Sequence, residues 1–99
     1  MTGRVTFPVR PRSGPEDEIE VLIAGETVAV WRDGRCISVI DRGHLRSWLA
    51  DPTGPMGMGE VAFAVGRSSG LREALTITLP DVDTVTLAPR TVTELRNGL

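Results

Sequence analysis

Residues 19–40 read IEVLIAGETVAVWRDGRCISVI, and this stretch decides the fold. Ile19, Val21 and Ile23 alternate with Glu20 and Leu22. A strand turns successive side chains to opposite faces, so a period of two marks a strand with one buried face. Ala24-Gly25-Glu26 makes a turn, and Thr27–Arg32 is a second strand. Asp33-Gly34 follows, and a two-residue type I′ turn needs the positive φ that Asp and Gly tolerate. Arg35–Ile40 is then a third strand, and the block reads as an antiparallel meander.

On the C-terminal side, Asp41 fits a helix N-cap, its carboxylate accepting an otherwise orphaned backbone N–H. Ile40 and Leu45 stand at the positions of a hydrophobic staple. Leu45, Trp48 and Leu49 form one apolar stripe, and Asp51-Pro52 ends the helix. DPTGPMGMG, residues 51–59, reads as a loop. Glu60–Val65 and Leu75–Leu79 alternate as strands around a turn at residues 66–70, where Ser68 and Ser69 serve as turn residues. Thr84–Leu87 is a last short strand. Pro89 suits the first turn of a second helix, with Val92, Leu95 and Leu99 on its apolar side; Thr91 with Glu94 is an alternative start.

On the N-terminal side, Val5–Val9 has the composition of a short strand, and Pro8 confines it to an edge because proline cannot donate to a ladder. RPRSGPEDE, residues 10–18, is rich in proline, glycine and charge and reads as a solvated linker. Residues 1–18 are therefore expected to be an arm and linker, partly disordered, and residues 19–99 a single domain. The fold expected is α+β: a mostly antiparallel sheet of five to seven strands with two short helices on one face. The two halves look alike, so the chain is either two ββ(β)α repeats or a chance likeness of amphipathic helices. The expected core is Val21, Val28, Val30, Ile37, Val39, Leu45, Trp48, Leu49, Phe63, Ile77, Leu79, Leu87, Val92 and Leu95.

Composition narrows the function classes. A net charge of −2 argues against generic binding to nucleic acid or anionic membrane, which needs a positive field. The eleven basic residues are all arginine, and their spread over the chain fits codon usage better than selection for anion contacts. A single cysteine excludes an intramolecular disulfide and fits a reducing compartment. The N-terminus lacks the apolar segment of a signal peptide, and no apolar run approaches the roughly 20 residues of a membrane span. A cytoplasmic location is expected.

The chemistry-bearing residues give little. His44, three residues after Asp41, reads as part of a helix start rather than as an acid or base. Cys36 reads as a small buried side chain rather than a nucleophile. Asp81 and Asp83 form only a D-x-D at a turn, short of a metal site. The glycines match no phosphate-binding loop, and no cofactor is implied. Three features remain. Trp31 falls on the strand face opposite Val28 and Val30, where it would point outward as an interface contact. Met56 and Met58, in the glycine-rich loop, are either adaptable contact residues or caps on the core. Arg4, Arg10 and Arg12 crowd the N-terminal arm and could reach a phosphate backbone, with Glu16, Asp17 and Glu18 opposing them nearby. The leading expectation is a non-enzymatic interaction or accessory domain that forms a homodimer or binds another protein. The alternatives are a nucleic-acid-binding protein using the arginine arm, and a small enzyme or ligand-binding protein with its site at a dimer seam.

Overall fold

The computed structural model describes residues 3–52, 54–67 and 73–99. The turn expected around Ser68 and Ser69 lies outside them. The first half runs β1 (Gly3–Val9), β2 (Asp17–Ala24), β3 (Thr27–Arg32), β4 (Arg35–Asp41) and α1 (Arg42–Ala50). The second runs β5 (Met56–Met58), β6 (Val61–Arg67), β7 (Glu73–Leu79), β8 (Val82–Thr86) and α2 (Pro89–Gly98). Each set of strands is an antiparallel meander in sequence order. The class is α+β, but the strands form two four-stranded sheets rather than one sheet of five to seven. The strand missing from the sequence reading is β5, which lies within a stretch whose glycines and prolines signal a loop.

The segment expected to be an arm belongs to the first sheet. β1 pairs with β2 along its whole length, from Gly3 opposite Ile23 to Val9 opposite Asp17. Its alternation buries Val5, Phe7 and Val9 and exposes Thr6 and Pro8. β1 is an edge strand, as Pro8 requires. The β3–β4 turn has φ of 51° at Asp33 and 72° at Gly34, the left-handed pair a type I′ turn needs. α1 is capped as expected: the Asp41 carboxylate accepts the His44 N–H at 2.9 Å. α2 begins at Pro89, without a side-chain cap.

One buried cluster joins the two sheets. Ile19, Val21, Ile23, Val28 and Val30 from the first meet Val61, Phe63, Leu75, Ile77 and Leu79 from the second, with Leu45, Leu49 and Leu95 from the helices. Trp48 and Val92 are half-buried at its margin instead of central. Val39 is a clear correction, being 54% exposed. The cause is a bulge in β4. Val30 faces Ser38 and Trp31 faces Cys36, which leaves Ile37 as an extra residue. A bulge breaks the alternation. Ile37 and Ser38 are therefore both buried, Val39 turns outward and Ile40 inward.

The sheets touch at two seams. At one, the Glu60 N–H donates to the Ile37 carbonyl at 3.2 Å, and Arg35 pairs with Glu60 at 3.1 Å. Gly59 (φ 62°) permits this approach, since a Cβ there would lie 2.5 Å from the Ile37 carbonyl oxygen. At the other, Pro11 bridges to Val82 and the Arg12 N–H donates to the Asp81 carbonyl at 2.9 Å. The helices are tied end to end: Arg42 donates to the Gly98 carbonyl at 3.0 Å, and Arg46 to that of Leu99 at 2.7 Å. These bonds satisfy carbonyls left over at the end of α2. Among the described residues no helix is long and apolar enough to cross a membrane.

Candidate interaction surface

The outer face of the first sheet carries two cross-strand rows. One runs Arg4, Leu22, Ala29 and Val39 over the four strands. The other runs Thr6, Glu20, Trp31 and Cys36. Leu22, Ala29 and Trp31 are half-buried, while Val39 and Cys36 are exposed. The result is an apolar patch on β2, β3 and β4, bordered at β1 and β2 by the Arg4–Glu20 ion pair at 2.6 Å. Sheet faces exposed to water usually alternate to polar residues. An apolar outer row is thus the informative departure.

Trp31 sits where the sequence places it, on the face opposite Val28 and Val30. Its indole nitrogen is buried without a hydrogen-bond partner, as is the Ser38 hydroxyl on the neighbouring strand. Both side chains lie beside the β4 bulge, where the alternation breaks. Trp48 differs, its indole N–H donating to the Gly54 carbonyl at 3.1 Å. The methionines separate: Met56 is buried against the core, whereas Met58 is 47% exposed. Cys36 is exposed rather than a buried small side chain, its Sγ 3.5 Å from the Ser38 carbonyl. Sequence reasoning missed Val39 as a surface residue because the bulge leaves no local signature; Cys36 was read as buried from its residue type, although alternation opposite Ile37 already sets it on the outer face. Leu22 did carry a signal: a leucine on the polar side of an alternating strand.

The arginines of the N-terminal segment all face carboxylates. Arg4 pairs with Glu20 at 2.6 Å, Arg10 with Glu16 at 3.5 Å and Arg12 with Asp83 at 3.0 Å. Arg32 is the most buried of the paired arginines, its side chain 15% exposed. It donates to Asp17 at 2.9 Å and, with both terminal nitrogens, to the two oxygens of Asp81 at 2.6 and 2.8 Å. Hydrogen bonds from Arg32 hold the carboxyls of Asp17 and Asp81 below the ordinary value of 3.8, and these carboxylates in turn raise the guanidinium's own pKa. This cluster lines an open cleft of about 580 Å³ with Arg35 and Glu60. The cleft's cations are neutralised by its own carboxylates, which makes it a tie between the sheets more than a receptor for charge.

His44 is exposed at the start of α1, and neither it nor Cys36 lines a substantial cleft among the described residues. The described residues hold no group of three or more His, Cys, Asp or Glu side chains placed for a metal ion. Compared with known proteins, the chain matches no family model, no curated protein and no solved structure.

Proposed function

We propose that this chain is a protein-interaction domain that pairs with a second copy of itself through the outer face of the first sheet. The observation that carries the reading is Val39, 54% exposed beside Ala29 and one register step from Trp31. Sheet faces pack on one another through such rows, about 10 Å apart. Trp31 supplies the large, stiff anchor that interface cores favour. The small net charge of −2 leaves little repulsion between copies.

The test is mass by light scattering during size exclusion, from micromolar to several hundred micromolar protein. Wild type is expected as a dimer at the upper concentrations. Val39→Glu buries a charge in the seam and is expected to remain monomeric with an unchanged circular dichroism spectrum, because Val39 takes no part in the core. A dimer that persists in Val39→Glu removes this face from the assembly, and a wild type monomeric throughout removes self-pairing.

The nucleic-acid reading has less support. The carboxylates beside Arg4, Arg10 and Arg12 weaken the field that a phosphate backbone would meet.

A further inference from the structure

A trough of about 620 Å³ runs between the C-terminal end of α1, one side of α2 and strands β6–β8. Its floor is apolar: Leu49, Val65, Leu75, Leu87 and Val92. A second, smaller cleft adjoins it, sharing Leu49, Ala50 and Arg96 and adding Arg46 and Leu99. Among the described residues no Asp or Glu side chain lines either one.

The charge at the junction is unlike the charge elsewhere. Arg4, Arg10, Arg12, Arg32, Arg35 and Arg90 each face a carboxylate. Arg42 and Arg46 are held by main-chain carbonyls. Among the arginines whose side chains are described, Arg96 has a guanidinium with no acceptor, and it stands where the apolar trough meets Arg46 of the opposite helix. An apolar channel ending at a guanidinium, with no Asp or Glu among its described wall residues, is complementary to a molecule with an apolar body and one anionic end. Its volume lies in the range of roughly 300–1,000 Å³ typical of small-ligand clefts.

We propose that the trough is a binding site for an amphipathic anion, a medium-chain carboxylate, with the chain over Leu75, Leu87 and Val92 and the carboxylate at Arg96. A guanidinium can meet a carboxylate through two parallel hydrogen bonds, which fixes the head while the trough removes the chain from water. The site involves neither Trp31 nor Val39 and is independent of self-pairing.

The experiment is isothermal titration of the full chain with sodium decanoate, below the concentration at which decanoate forms micelles. One saturable site is expected. Arg96→Gln is expected to weaken it about tenfold, the equivalent of one charge-assisted interaction. Ala50→Trp fills the trough from an exposed position and is expected to abolish binding with the circular dichroism unchanged. Val39→Glu is expected to bind like wild type. Decyltrimethylammonium, of the same chain length and opposite charge, is expected not to compete. Wild-type affinity in Arg96→Gln, equal competition by the cation, or no saturable binding by the wild type would each overturn the proposal.

Discussion

Asp41 and Val39 mark the limits of what one residue reveals. The Asp41 carboxylate holds the His44 N–H at 2.9 Å. Removing such a cap costs about 1 kcal/mol. Asp41→Ala is therefore expected to lower the free energy of urea unfolding by about that amount with an unchanged m-value, and no change would mean that solvent replaces the carboxylate without loss. This cap was legible because capping depends on a few neighbouring residues, and the left-handed Asp33-Gly34 turn was legible for the same reason. Val39 was not. Its outward direction follows from the extra residue at Ile37, which is set by how β4 registers on β3 and not by the residues around Val39. The face on which Trp31 lies follows from β3's own alternation, because the extra residue lies on β4.

At the scale of elements, the sheets are held by pairs far apart in the chain. Arg32 of β3 reaches Asp17 of β2 and Asp81 of the β7–β8 turn. No pattern in a single sequence joins positions 49 residues apart, so this tie was invisible, as was the Arg12–Asp83 pair. Asp17 and Asp81 have carboxyls held below 3.8 by Arg32, so the folded chain keeps them ionised where the unfolded chain takes up protons. Their contribution is full above about pH 4 and is lost as the pH falls through the lowered folded values. Asp81→Asn is expected to melt below wild type by a constant margin between pH 5 and 7, and the margin is expected to shrink as the pH drops beneath 3.8. A margin that is the same at pH 2.5 as at pH 7 would mean that Arg32 draws no stability from the Asp81 charge. β5 shows the opposite failure. Its Met-Gly-Met sequence, next to Pro55, carries loop signals, yet it pairs in register with β6 and buries Met56 opposite Phe63. Tertiary pairing overrides local preference in so short a strand.

For the whole molecule, the decisive fact is one core spanning both halves. Phe63 is 1% exposed within the second sheet, whereas both tryptophans belong to the first half. Phe63→Ala is expected to cost about 3–5 kcal/mol and to move the tryptophan-fluorescence and far-ultraviolet dichroism transitions together. A fluorescence transition that stayed in place would divide the molecule into two folding units. The helices and the α+β class were readable from periodicity, but the closure of the two sheets on one another was not, because it depends on the seams. Those seams have a further consequence for how copies meet. β1 carries Pro8 and lies against α2, β4 meets the Gly59–Glu60 turn, β5 is three residues long, and β8 meets Pro11 and Arg12. Little bare strand margin is left to template another chain, so ladder-by-ladder extension into fibrils is disfavoured. The proposed pairing would instead use the broad flat side of a sheet, where a twofold union consumes the sticky surface of both copies and growth stops at a finite size.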